Sequence, residues 1–160
     1  MLYVNIQSKD DVLYPHGGHY YLQNGFVTKL TDDGIDHILD AFRRTPRRFA
    51  MFADHCGGAY GRMAQDATAF PRRDMAIVLA LFAGWQNPAE SDEKIAMMRV
   101  AWKELAPLTS GFYTNYAAAD TNLAGYQEKC GANFQRLVAL KAKYDPMNVF
   151  RLNANVSPKI

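Results

Sequence analysis

In the stretch "FYTNYAAAD", residues 112–120, two phenols and a carboxamide stand within four positions: Tyr113, Asn115 and Tyr116. A phenol can hydrogen-bond a substrate hydroxyl or take its proton, and an amide offers a ligand both a donor and an acceptor. A free phenol, with a pKa of about 10, is a poor base at neutral pH and needs a neighbour that favours its ionised form. The same residues also suit an ordinary strand, since aromatic side chains favour pleated, half-buried surfaces. If 112–116 is extended, Tyr113 and Asn115 share one face while Thr114 and Tyr116 share the other. Tyr116 can then act only if its face is open.

Other constellations are weaker. His16 and His19 stand three apart, but the two glycines between them argue for a loop and against a helical metal chelate. His55 and Cys56 are adjacent, so on a strand they point to opposite faces and cannot form a nucleophile pair. Gly57-Gly58-Ala59-Tyr60-Gly61 lacks the Lys-Ser/Thr of a phosphate loop and does not open onto a helix. Asp54 and Asp74 sit at strand ends without an evident partner, so no carboxylate pair stands out, and no metal site is expected. Met97-Met98 reads as core.

The elements that must position these residues follow from pattern. Residues 1–18 read as irregular, then 19–23 as a short aromatic strand. Thr31-Asp32-Asp33 is an N-cap cluster, and Ile35, Ile38, Leu39 and Phe42 recur at helical spacing, which predicts an amphipathic helix over 32–44 stopped by Pro46. A strand over 47–54 follows, with Gly57-Gly58 turning into a second strand near 59–63. The apolar run 75–85 reads as a central strand, and a helix opening at Ser91 aligns Ile95, Met98, Trp102 and Leu105. "FYTNY" is the next strand, a helical turn is expected near 121–129, and a helix over 132–144 ends at Asp145-Pro146. The result is an α+β fold: an antiparallel sheet with helices packed on one face and the other face open for a partner domain or a dimer. Residues 145–160 form an extended tail of the single domain.

Bulk properties exclude several classes. The 160 residues are 49% hydrophobic and 21% charged, with a net charge of +2, so nothing favours nucleic acid or an anionic membrane surface. The basic run Arg43 to Arg48 sits at a helix end, where cations complement the dipole. Two cysteines make no disulfide framework, the start carries no signal-peptide pattern, and no apolar run could span a bilayer. The chain as given reads as cytoplasmic.

Three segments, taken in order, resemble the C-terminal half of the berberine-bridge-enzyme-like FAD-linked oxidases. "CGANFQRLVALKAKYDPMNVFRLNANVSP" (130–158) resembles that family's closing helix, Asp-Pro-x-Asn turn and extended tail. "GGAYGRMAQDATAFPRRD" (57–74) resembles its Gly-Gly hairpin, and "FYTNY" its Tyr-x-Asn-Tyr element. The resemblance implies FAD as cofactor, held mainly by an N-terminal domain absent from this chain and supplied in cis or in trans. It implies a small-molecule substrate, with Tyr116 beside it as catalytic residue helping to remove a hydroxyl proton. Tyr113 and Tyr60 would bind substrate, and Asn115, Asn148, Arg151 and Asn153 would face the cofactor or its domain. Departures are also visible: the central strand offers only apolar residues where relatives commonly carry a polar one, Ala154 replaces a glutamine, and Cys130 an aromatic. The expectation is therefore the substrate-binding part of an FAD-dependent oxidoreductase, inactive in isolation. The alternative is a stand-alone non-catalytic module that uses the open face to form a homodimer or bind a ligand.

Overall fold

The computed structural model describes residues 2–8, 11, 14–47, 49–70, 72–118, 130–131, 133–152 and 155–158. Three strands form one antiparallel sheet in the order β1-β3-β2: β1 is His19–Val27, β2 Phe49–His55 and β3 Ile77–Trp85. The continuous apolar run of 75–85 becomes the central strand because both of its edges and most of both faces are buried.

Alternation along the strands divides the sheet. On one side Ile77, Leu79, Leu81, Ala83 and Trp85 of β3 meet Tyr21 and Val27 of β1 and Phe49 of β2. Two helices cover this side, α2 (Asp32–Arg44) and α3 (Ser91–Leu105). Met98 and Leu105 of α3 are fully buried there, each worth about 1.5–3 kcal/mol of burial. Helix α2 starts where the sequence caps it: Thr31 Oγ1 accepts from Gly34 N at 3.1 Å, and Asp32 and Asp33 occupy the first turn. Arg44 of α2 pairs with Glu104 of α3, which ties the two helices together.

The opposite side carries Phe26, Cys56, Met75 and Val78, covered at that end by Tyr60, Phe70, Tyr113 and Tyr116 from two connecting segments. The other end of this face is open, with Tyr20 and Phe52 each 40% exposed. The sheet is thus helix-covered on one face, as expected, but its second face is only half open.

Four sequence expectations are corrected. Residues 1–18 contain a one-turn helix, α1 (Tyr3–Gln7), closed by Ser8 N on Val4 O; a single turn leaves no period to detect. Strand β1 runs on to Val27, past the expected end at Gln23. Gly25 is there because Thr109 lies against it: a Cβ would come within 2.5 Å of Thr109 Cβ. Residues 59–63 are no strand but a 3₁₀ turn, Tyr60–Arg62, pulled onto the sheet face by Tyr60 Oη donating to Arg72 O at 2.6 Å. "FYTNY" is no strand either. Thr114–Tyr116 is a 3₁₀ turn, because the backbone groups a ladder would need are taken by Asn24 of β1.

The expected turn near 121–129 lies outside the described residues. Beyond it α4 (Asn133–Tyr144) docks through buried Asn133, whose Nδ2 donates to Gln65 O at 2.8 Å and Thr68 O at 3.1 Å. The tail after α4 is shaped by Asp145, whose carboxylate accepts from Val149 N (2.7 Å), Phe150 N (3.0 Å) and Lys141 Nζ. The Lys141 hydrogen bond, outweighing the desolvation, together with the two backbone N–H groups holds the Asp145 carboxyl below its ordinary value.

Two outcomes follow. Gly25→Ala lowers stability by about 1–3 kcal/mol through overpacking against Thr109, read as a reduced urea midpoint at unchanged slope; an unchanged midpoint contradicts the close approach. Because Asp145 is depressed in the folded state, its contribution is complete above the ordinary carboxylate range and disappears as pH falls through the depressed value. Amide exchange at Val149 and Phe150 accelerates over that acid window, and Asp145→Asn removes the pH dependence.

Candidate functional site

The turn at 113–116 brings together side chains that an extended strand would separate. The rings of Tyr113 and Tyr116 meet edge to face, with centroids 5.2 Å apart, where extended geometry predicts opposite faces. Further edge-to-face contacts continue the row: Tyr113 to Phe70 at 5.8 Å and Phe70 to Tyr60 at 5.7 Å. Asn115 donates through Nδ2 to Tyr113 Oη at 2.8 Å. The backbone of the turn is held from below by Asn24, which is 8% exposed. Its Oδ1 accepts from Tyr113 N at 2.6 Å, and its Nδ2 donates to Tyr113 O at 3.2 Å and Tyr116 O at 2.9 Å.

Tyr116 lies on the sheet side opposite α2 and α3, and its Oη donates to Asp54 Oδ2 at 3.4 Å. Asp54 is on β2 directly across from Val78 of β3. The expectation that Asp54 lacks a partner is therefore corrected, and so is that for Asp74, which pairs with Arg72 at 3.0 Å. Burial first, then the Asp54 carboxylate as charge and as hydrogen-bond acceptor, push the Tyr116 phenol above its ordinary value. A neutral phenol donating to a carboxylate is the result, the reverse of a preformed phenolate. A hydrogen bond of 3.4 Å is long, as those of catalytic pairs often are before substrate binds.

The pair opens into a cavity of about 410 Å³, lined by Tyr14, Tyr20, Leu22, Phe52, Asp54, Phe82 and Tyr116, a size typical of small-molecule sites. Tyr20 and Phe82 lie nearly parallel, 23° apart with centroids at 5.8 Å. Gly84 lets the Tyr20 ring lie down on β3, since a Cβ there would stand 3.1 Å from it. The floor is therefore aromatic, and the Tyr116–Asp54 pair adds the one carboxylate of the lining.

The other expected site residues sit differently. Tyr60 does not line the cavity; its hydroxyl is engaged by Arg72 O, the Arg73 guanidinium lies 4.9 Å over its ring, and burial pushes its phenol up to about 12. Tyr113 backs Tyr116 and lies outside the lining. Asn115 is exposed beside the turn. Asn148 and Arg151 belong to the tail, and Asn153 lies outside the described residues. Asn148 takes the left-handed φ of 53°, and its buried Oδ1 has no hydrogen-bond partner among the described residues. The Cys56 thiol is pushed up by burial and donates to Asp54 O, while His55 Nδ1 accepts from Gly57 N, so the two make no nucleophile pair. Among the described residues no three His, Cys, Asp or Glu side chains gather as a metal site, and no helix is long and apolar enough to cross a membrane.

Sequence reasoning missed Asp54 and Asn24. Period-2 alternation could have placed Asp54 on the face of Phe52. Asn24 carried a signal in being a strand-averse residue amid an apolar strand.

Comparison with known proteins shows the family. The family described as "Berberine and berberine like" matches residues 112–157. The chain is 37% identical over 109 residues to the uncharacterized FAD-linked oxidoreductase YvdP of Bacillus subtilis, covering 68% of this chain and 24% of that protein. It is 28% identical over 166 residues to berberine bridge enzyme-like C-1 of Nicotiana tabacum, covering 83% of this chain and 29% of that one. Its fold superposes on Physcomitrella patens BBE-like 1 with a TM-score of 0.73 at 25% identity, over 88% of this chain and 30% of the other. It thus spans between a quarter and a third of the length of these relatives. The chain belongs to the berberine-bridge-enzyme-like FAD-linked oxidoreductases, as a fragment of their full length.

Proposed function

We propose that this chain forms the substrate-side wall of an FAD-dependent oxidoreductase, in which Tyr116 and Asp54 together remove the proton of a substrate hydroxyl. The observation that carries this is the Tyr116 hydroxyl donating to Asp54 in the lining of an open aromatic cavity. When bound, the flavin supplies the two-electron acceptor that alcohol oxidation requires. The chain's own residues supply the route for the proton. Tyr116 Oη hydrogen-bonds the substrate hydroxyl and accepts its proton while passing its own to Asp54. The phenol then never has to exist as a free phenolate, which its raised pKa disfavours. Tyr20 and Phe82 offer the flat surface on which the substrate rests.

The fit to FAD is one-sided. Residues 57–61 lead into the 3₁₀ turn Tyr60–Arg62 and open onto no α-helix, so they offer no phosphate cradle, which falls to a separate FAD-binding part. The tail supports contact with such a part. Met147, Phe150 and Leu152 are each more than 80% exposed, and Asn148 Oδ1, without a partner among the described residues, can accept a donor from such a part. Asn148, Arg151 and Asn153 are the residues assigned to that contact, with Asn115 near the cofactor ring.

The test is anaerobic flavin reduction by alcohol substrates in a protein containing this chain and its FAD-binding part. Tyr116→Phe and Asp54→Asn each slow flavin bleaching by roughly 10²–10⁴-fold, and the double variant is little slower than the worse single one. A Tyr116→Phe protein reducing its flavin at the parent rate refutes the assignment.

A further inference from the structure

We infer that Asn24 is the positioning residue of this site: its side-chain amide, rising from β1, fixes the Tyr113–Tyr116 turn so that the Tyr116 hydroxyl reaches Asp54. The inference deepens the reading of Tyr116 and Asp54 as the proton-handling pair and rests on it.

Asn24 is not itself one of the residues lining the cavity, yet it makes three hydrogen bonds to the turn, at 2.6, 3.2 and 2.9 Å. These span the turn's two ends, Tyr113 and Tyr116, across roughly ninety residues of sequence. Other ties stop short of it. The bridge between Phe26 and Ser110 anchors the chain before the turn, after which Gly111 takes a φ of 65° and changes its direction. Within the turn, Tyr116 N bonds Tyr113 O at 3.0 Å, which gives it shape but no place on the sheet. Ring contacts from Tyr113 to Phe70 and Tyr116, and the packing of both tyrosines on the Phe26–Val78 cluster, hold its side chains, and its backbone takes its height over β1 from the hydrogen bonds of Asn24.

That height decides whether the pair exists. At 3.4 Å, the Tyr116–Asp54 contact is at the outer limit of a hydrogen bond, so a shift of well under 1 Å breaks it. β1 gains nothing from an amide here, because Asn is disfavoured in strands and the neighbouring Phe26 cluster is apolar. An alkyl side chain would suit β1 but would take from the Tyr113 N–H and the Tyr116 carbonyl the partner that Asn24 gives them, leaving Tyr113 O only its bond from Tyr116 N.

The experiment is a titration of Tyr116 in the 160-residue chain, followed by ¹³Cζ-tyrosine NMR, with Tyr116→Phe assigning the signal. The ionisable groups facing Tyr116 are Asp54 of β2 and Tyr113 of its own turn. Asp54→Asn gives the midpoint for a Tyr116 without its partner. Asn24→Ala and Asn24→Ser are expected to lower the Tyr116 midpoint as far as Asp54→Asn does, while the methyl shifts of Val78, in the apolar cluster beneath, stay unchanged. A Tyr116 midpoint that stays at the parent value in both variants overturns the inference. Loss of the fold in both, or displaced Val78 methyls, overturns it also, by making Asn24 a general fold determinant. The underlying pair fails by a separate outcome, an Asp54→Asn variant that leaves Tyr116 unmoved.

Discussion

One buried carboxamide connects the sheet to the chemistry. Asn24 sits in the middle of β1, where its backbone serves the ladder with β3 and its side chain serves a turn some ninety residues later. Its donor and acceptor edges match the carbonyls and the N–H of that turn, a pairing that no apolar or singly functional side chain provides. In a poorly solvated setting such a set is worth more intact than broken, since each group left without a partner costs about 1–3 kcal/mol. The turn therefore has a defined place, and so do the two tyrosines it carries.

Sheet alternation does the rest. β2 presents Phe52 and Asp54 on the face away from α2 and α3, and β1 and β3 present Tyr20 and Phe82 beside them. Burial first, and then the Asp54 carboxylate that receives its hydrogen bond, raise the Tyr116 phenol. The central strand needs no polar residue for this, because the carboxylate comes from its neighbour. The apolar character of β3 is thus no obstacle to the chemistry.

Much of this was legible in the sequence, for stated reasons. The helix over 32–44 and the central strand were read from periodicity and a bounded apolar run, signals carried by adjacent residues. Tyr116 was reached through the resemblance of "FYTNY" and its neighbours. What could not be read depended on distant partners. "FYTNY" has strand composition, yet Asn24 captures its backbone and turns it. Asn24-Gly25 has turn composition, yet Thr109 and the later turn hold it extended. Asp54 had no visible partner because Tyr116 arrives from 62 residues away. In each case tertiary contact overrode local preference.

The chain spans only part of its relatives' length, and the function we propose divides the labour accordingly, with the proton handled here and the electron pair received by a flavin held elsewhere. The pH dependence of anaerobic flavin reduction, in a protein containing this chain and its FAD-binding part, tests that division most directly. The account predicts a rate that is level through neutral and mildly alkaline pH, where burial and Asp54 keep the Tyr116 phenol neutral. A rate that instead climbs only as tyrosine ionises, above about pH 10, would contradict it by making a free phenolate the base.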